Sequence, residues 1–154
     1  MIQESGRSMI EMLGVLAIMG LITVGAIRMV SVAMKSSKRS VVSDEVIQMV
    51  SGVRTLLAEY DGFDGINNDT IFNVIGMSPK NSFGGVYRLS VDPNNSKQFI
   101  VSIEGLSKSD CEYFISKAWT GSVDFESSDG KLSGASGNCI YDSDKNSIHI
   151  KYGK

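Results

Sequence analysis

Glu11 is the residue whose position most needs a chemical explanation. It is the one ionisable residue between Ser8 and Ile27, and the run that follows it from Met12 is apolar almost without interruption. An ionised carboxylate without a partner is costly in hydrocarbon. The acid is therefore expected to meet a cation, lose its charge or reach the membrane interface. The alternative to a binding role is a residue that lies at headgroup level.

The two cysteines, Cys111 and Cys139, also suggest chemistry. An even count with wide spacing favours a disulfide over a metal site, which would need more ligands. A bond closing about 28 residues would stabilise the fold by roughly 3–4 kcal/mol on the chain-entropy model. An oxidising compartment follows from this interpretation. The alternative is a pair of unbonded buried thiols.

Other polar residues do not form a catalytic or cofactor-binding pattern. His149 is the one histidine and lies in an alternating segment, where it is expected to face solvent. The acidic residues at 142–146 begin like a calcium loop but lack its glycine and distal glutamate, which favours a turn. Gly84 and Gly85 precede a predicted strand, not a helix that could bind phosphate. We therefore expect no catalytic residue, no metal and no cofactor, and we expect the chain not to be an enzyme.

Charge is distributed unevenly along the chain. From Ser40 onward there are 10 Lys and Arg against 15 Asp and Glu, a net charge of 10 − 15 = −5. This balance argues against nucleic acid as a partner of the C-terminal part. The basic residues beside the apolar run are Arg28, Lys35, Lys38 and Arg39.

A long helix is predicted over residues 7–60, because no proline interrupts it. Its first half, residues 7–34, is apolar enough to anchor the chain in a membrane. Its second half, residues 35–60, is amphipathic and is expected to pack under a globular head, ending at Asp61-Gly62. The predicted apolar stripe consists of Val42, Val46, Met49, Val50, Val53, Leu56, Leu57 and Tyr60.

Residues 61–154 are predicted to form one small αβ head. Residues 86–91 and 98–103 alternate apolar and polar side chains around a turn, which predicts an antiparallel hairpin. The side chains expected to face the long helix are Tyr87, Leu89, Val91, Phe99, Val101 and Ile103. The fold class is therefore α+β, with a long N-terminal helix packed on a small antiparallel sheet.

Weaker patterns predict the remaining helices and strands of the head. Residues 71–75 predict one or two helical turns, and Ser107 is placed to cap a second short helix that ends near Trp119. Short strands are predicted at 122–125, 139–141 and 147–152, separated by turns rich in glycine and serine.

The residues around Glu11 resemble the processing and assembly motif of type IV pilins and the related pseudopilins. Gly6 is followed by Arg7, Glu11 is the fifth residue after the glycine, and a long apolar run comes next. The resemblance implies a pilin-like fold in which residues 1–6 are a leader. It also implies that a prepilin peptidase cuts after Gly6 and methylates the new amine on Arg7.

The same resemblance implies how the chain assembles. Glu11 would pair with the N-terminus of a neighbouring subunit, here the amine of Arg7, in a homo-oligomeric helical filament. A pair between the Arg7 and Glu11 side chains of one helix would compete with it, since they are four residues apart. Other implied partners are an inner-membrane assembly platform and its ATPase. The chain would lie in the inner membrane with its head in the periplasm, and later in an extracellular pilus.

Three glycines interrupt the apolar helix, Gly14, Gly20 and Gly25. They are interpreted as places of close helix packing or of local flexibility during assembly.

A second resemblance lies in the C-terminal half. The segment from Gly105 to Cys111, followed by a distant Cys139, is similar to the disulfide-bounded region of type IVb pilins. We therefore predict that the chain is a pilin. A pseudopilin of a type II secretion system and a minor pilin are the nearest alternatives, and a signal-anchored periplasmic binding domain or enzyme is the alternative from another class.

Overall fold

The computed structural model describes residues 4–127, 139 and 144–154. Three helices and four strands follow one another in the order α1, α2, β1, β2, α3, β3 and β4. Their bounds are α1 Glu4–Leu56, α2 Asn68–Ile75, β1 Tyr87–Asp92, β2 Asn95–Leu106, α3 Lys108–Ser116, β3 Ser122–Ser127 and β4 Asn146–Gly153. The strands form one antiparallel sheet in the order β1-β2-β4-β3. The predicted α+β fold class is confirmed. The strand predicted at 139–141 lies mostly outside the described residues.

The chain divides into two compact units. The first ends at Lys38, and the second runs from Arg39 to Lys154 and contains the sheet. The second unit is called the head below. It includes the last part of α1, residues 39–56, which packs on the sheet and shares its hydrophobic core.

The apolar stripe on this part of α1 is confirmed at most of its predicted positions. The buried residues are Val42, Val46, Met49, Val50, Val53 and Leu57. Leu56 and Tyr60 were predicted in the stripe but are exposed, and the helix ends at Leu56 instead of Asp61. Beyond the helix, Phe63 is buried in the hydrophobic core of the head. The Phe63 amide donates to the carbonyl of Ser96 at 2.7 Å, and its ring lies 4.7 Å from that of Phe99.

The predicted hairpin is confirmed, with the predicted side chains facing the core. Tyr87 pairs with Ile103, Leu89 with Val101, and Val91 with Phe99. All of these side chains are buried except Val91, which is partly buried and packs against the core. β1 has the predicted length of six residues, whereas β2 is longer than predicted: it begins at Asn95, which pairs with Asp92, and continues to Leu106.

β1 is an edge strand, and α2 covers part of its open edge. Asn67 caps α2 by accepting a hydrogen bond from the amide of Thr70, and Gly76 ends the helix with a positive φ of 68°. The Asn68 side chain then bonds both backbone groups of Leu89, accepting from its amide at 2.7 Å and donating to its carbonyl at 2.9 Å. One side chain therefore replaces a neighbouring strand at this position.

α3 begins as predicted but ends earlier. Ser107 accepts a hydrogen bond from the amide of Asp110, which confirms the cap. The helix ends at Ser116 because Lys117 is extended, so the prediction that it reaches Trp119 is wrong. Trp119 nevertheless returns to the core, where its indole N–H donates to the carbonyl of Phe114 at 3.0 Å and its ring stacks on Phe114.

The backbones of two loops meet at Gly85 and Gly105. A Cβ on Gly85 would lie 1.8 Å from the carbonyl oxygen of Glu104, and a Cβ on Gly105 would lie 2.6 Å from the Cα of Gly85. Gly105 also has a positive φ of 79°. This contact holds the segment before β1 against the end of β2, where the Glu104 amide donates to the carbonyl of Val86 at 2.9 Å.

We expect Gly85→Ala to lower the free energy of unfolding of the head by at least about 2 kcal/mol, because two backbone segments would have to separate. Thermal unfolding of the detergent-solubilised full chain, followed by circular dichroism, measures this loss. Gly65→Ala is the matched control, since the nearest atom to its Cβ would be Leu57 Cδ2 at 3.8 Å. Equal melting temperatures for the two variants would contradict the predicted contact.

Candidate interaction surface

The first part of α1 presents a continuous apolar surface. Sixteen large apolar side chains between Met9 and Met34 are each 54% to 78% exposed. Within the part of the chain that the structure describes, none of the residues in the apolar window of this helix is buried. An apolar surface of this extent requires lipid or protein to cover it. The helix is also long and apolar enough to cross a membrane.

Two hydroxyl groups on this helix are satisfied by the helix itself. Thr23 Oγ1 donates to the carbonyl of Met19 at 2.8 Å, and Ser31 Oγ donates to the carbonyl of Ile27 at 3.0 Å. Each bond reaches back four residues, as polar side chains commonly do in membrane helices. These hydroxyls can therefore enter an apolar environment without an unpaired donor.

Glu11 is the acid on this apolar surface. Its neighbours on the helix face are Ser8, Met12, Val15 and Leu16, so the carboxylate lies at the edge of an apolar region. Once lipid or protein covers this face, a carboxylate there would bind a cation more strongly than in water, because the screening by solvent would be weaker. Gly6 and Arg7, the predicted processing residues, lie in the first turns of α1, and their side chains are outside the described set.

The three glycines predicted to act in packing or flexibility lie on this surface. A Cβ on Gly14, Gly20 or Gly25 would meet no heavy atom within 4 Å. Contacts among the described residues therefore do not require glycine at these positions. Gly14 and Gly25 share one face of the helix, since 11 residues make about three turns, and Gly20 lies on a different face. Their role as close-packing or flexible positions stays a prediction.

The head is closed by the predicted disulfide. Cys111 on α3 and Cys139 are bonded, with Cα atoms 5.9 Å apart, and both are buried. Cys139 is held against α3 through this bond. The prediction of a disulfide is confirmed, and the alternative of two free thiols is wrong.

An ion pair that the sequence did not reveal joins α1 to α3. Arg39 Nε donates to Asp110 Oδ1 at 2.8 Å, and the Arg39 guanidinium also donates to the carbonyl of Ser109 at 3.1 Å. Its Cζ lies 4.5 Å from the ring centroid of Tyr113. Because Asp110 precedes Cys111, this pair and the disulfide position the same helix.

A second polar contact ties α1 to β1. The buried Tyr87 hydroxyl donates to Glu45 Oε2, although its ring lies in the core. Burial and the neighbouring Glu45 carboxylate raise the pKa of Tyr87 well above its ordinary value. The hydroxyl therefore stays protonated and available as a donor.

The hairpin turn carries a buried ion pair. Lys151 Nζ lies 2.7 Å from Asp92 Oδ2, and both side chains are largely buried. The hydrogen bond from Lys151, with another from the backbone of Asn94, lowers the pKa of Asp92 below its ordinary value. Asp92 was predicted as a turn residue, and its partner on β4 could not be assigned from the sequence.

His149 lies on the sheet face away from the isoleucine side chains, as predicted, but it is partly buried. Its Nδ1 is 2.7 Å from Ser102 Oγ and its Nε2 is 3.1 Å from Ser147 Oγ. Ile148 and Ile150 point into the core. Two hydroxyl partners hold the imidazole ring, and among the described residues no group of histidine, cysteine, aspartate and glutamate could hold a metal ion.

A groove runs along α1 in the head. Its volume is about 740 Å³, and its floor includes Ile47, Val50 and Tyr152. Arg54 borders it, donating to the carbonyl of Gly153 at 2.8 Å and lying 5.9 Å from the Tyr152 ring centroid. Burial raises the pKa of Tyr152 to about 12, although the charge of Arg54 acts in the opposite direction. Ile47, which is 60% exposed, marks the groove as a second apolar surface.

Comparison with known proteins does not assign this chain to a family. Neither a protein-family model nor a curated protein sequence matches it.

We expect Cys111→Ser to lower the free energy of unfolding by roughly 3–4 kcal/mol, because the open chain gains conformational freedom when the bond is lost. Thermal unfolding with and without a reducing agent measures this. The reduced wild-type chain should have the same melting temperature as the variant. Equal melting of the oxidised wild type and Cys111→Ser would show that the bond contributes no stability.

Proposed function

We propose that this chain is a pilin, the structural subunit of an extracellular type IV pilus. The observation that carries the proposal is the exposed apolar part of α1, which bears one acid near its N-terminus and belongs to a chain whose head has a core of its own. A head with its own core does not need the apolar helix for stability. The helix is therefore free to pack with copies of itself.

Burial of the apolar helices supplies the cohesion of the proposed filament. Removing apolar surface from water favours association, and in lipid apolar helices associate through close van der Waals packing; the side chains of Met9 to Met34 expose apolar surface on all sides of α1. A cohesive force of this kind has no direction and does not define how far one helix is displaced along its neighbour. A polar contact is needed for that.

Glu11 supplies this contact in the proposal. Cleavage after Gly6 would leave the α-amine of Arg7 as a cation at the start of the mature helix. Inside a bundle of apolar helices the carboxylate would be stable only beside a positive charge, and the amine of an adjoining copy provides one. The pairing would set the axial register between these two copies, because a displacement that separates the two groups removes this cation from Glu11 in an apolar environment.

Storage and processing follow from the same features. Before assembly the apolar helix would lie in the inner membrane with the disulfide-closed head in the periplasm, an oxidising compartment. The proposed partners are a prepilin peptidase, an inner-membrane assembly platform with its ATPase, and further copies of this chain. The proposal requires no catalysis and no cofactor from the chain itself.

N-terminal sequencing of protein sheared from the cell surface tests this function directly. We expect a first residue of Arg7 in material that sediments as filaments. A deletion strain complemented with the gene should recover the fibres, and an uncomplemented strain is the control. Surface material that keeps Met1, or a cut chain that never leaves the membrane, would contradict the proposal.

Glu11→Ala should be cleaved at nearly the wild-type rate yet be absent from filaments, because the change removes the acid without shortening the helix. Immunoblots of the membrane and sheared fractions measure processing and assembly separately. Glu59→Ala is the matched control, since Glu59 is an exposed acid of the head. A wild-type yield of filaments from Glu11→Ala would rule out the register role.

A further inference from the structure

Arg28 is a second charge on the apolar surface of α1, and the proposed function does not use it. It lies between Ile27 and Met29, and the large apolar residues from Met29 to Met34 are more than half exposed. Cohesion between apolar helices would therefore bury its guanidinium. A buried cation without a counterion costs several kcal/mol.

The counterion of Arg28 cannot come from its own stretch of helix. No aspartate or glutamate occurs at residues 12–43. Glu11 is 17 residues away, which is about 25 Å along a helix at 1.5 Å per residue. An arginine side chain cannot span that distance. The positions three and four residues from Arg28 hold Val24, Gly25, Ser31 and Val32.

The segment from Ser8 to Met34 holds one acid, Glu11, and one base, Arg28, and Arg28 has no counterion within reach along its own helix. We propose that Arg28 of one copy binds Glu11 of a second, parallel copy that is displaced by about 25 Å along the helix axis. This inference rests on the proposed filament. The occupant of this face is a second copy of the chain.

The displacement also matches apolar surface to apolar surface. At an offset of 17 residues, positions 29–34 of one copy lie level with positions 12–17 of the other. The large residues of both segments are exposed and apolar, and Ser31, the one polar residue among them, bonds its own helix backbone. The proposed pair of Arg28 and Glu11 would therefore lie at the edge of an apolar contact, and this contact would exclude water from the pair. In such a setting a guanidinium and a carboxylate interact more strongly than at an exposed surface.

Glu11 can bind two cations at once. Its two oxygens offer about four acceptor sites, whereas a guanidinium uses at most two of them in a bidentate contact. The amine of Arg7 from one neighbour and Arg28 from another can therefore share it, because each helix in a helical filament has several neighbours. The two contacts would set two different displacements within one assembly.

Cysteine cross-linking in sheared filaments tests the displacement. Val15 and Val32 are 17 residues apart and exposed, so Val15→Cys/Val32→Cys should give a ladder of disulfide-linked multimers on a non-reducing gel. The native cysteines are already bonded to each other and leave the introduced thiols as the reactive ones. Gly14→Cys/Ser31→Cys has the same spacing and serves if the first variant fails to assemble.

The matched control is Val15→Cys/Val24→Cys, whose exposed valines are nine residues apart and should give no ladder at this offset. A ladder from the 17-residue pairs alone supports the proposal. Filaments without a ladder, or equal ladders from both spacings, would overturn the displaced pairing and leave the proposed function standing. Absence of any filament from the wild-type chain would overturn both.

The charge itself is tested by two changes at Arg28. Arg28→Gln should lower the yield of sheared filaments at least tenfold with processing unchanged, because it leaves one cation fewer for Glu11. Arg28→Lys should keep the yield within about threefold of wild type, since the charge is retained. Any filaments from Arg28→Gln should show a weaker cross-linked ladder. Wild-type yield and an unchanged ladder from Arg28→Gln would overturn the proposal.

Discussion

The exposed apolar surface of α1 is the feature on which the rest of the protein depends. Large side chains from Met9 to Met34 have no cover within the part of the chain that the structure describes. Such a surface is stable in a bilayer or against other apolar helices, and it is unstable in water. The head must therefore fold without help from this segment. Its disulfide and ion pairs join its own elements to one another.

The head is stabilised by one hydrophobic core and by a disulfide, ion pairs and hydrogen bonds between its elements. The disulfide between Cys111 and Cys139 and the ion pair of Arg39 with Asp110 both act on α3. The contact of Glu45 with Tyr87 and the pair of Asp92 with Lys151 join α1 to the sheet and the hairpin turn to β4. Buried charges are seldom a large source of stability, but breaking one of these pairs would leave a charge without its partner.

The proposed filament separates cohesion from register. Apolar burial holds helices together at any displacement, while Glu11 and Arg28 are satisfied at particular ones. The same division would allow a helix that is apolar around its whole circumference to assemble in a defined way. The hydroxyls of Thr23 and Ser31 do not add competing polar contacts, because they bond their own helix.

Elements with strong periodicity could be predicted from local sequence patterns. The long helix, the core stripe from Val42 to Val53, the hairpin and the cap at Ser107 follow from local spacing, and the structure has them where they were predicted. The apolar run and its acid also follow from composition alone. Local patterns carry this information because each depends on residues within a few positions of one another.

Where elements end and which distant residues meet became clear only from the three-dimensional fold. α1 ends at Leu56, before Phe63 contacts Phe99, and α3 ends at Ser116, before Trp119 stacks on Phe114. Asp92 and Lys151, Arg39 and Asp110, and Asn68 and Leu89 are far apart in the sequence, and nothing local marks them as partners. Their pairing depends on the three-dimensional path of the chain, since a contact between distant residues is set by how the elements pack and not by the propensity of either residue.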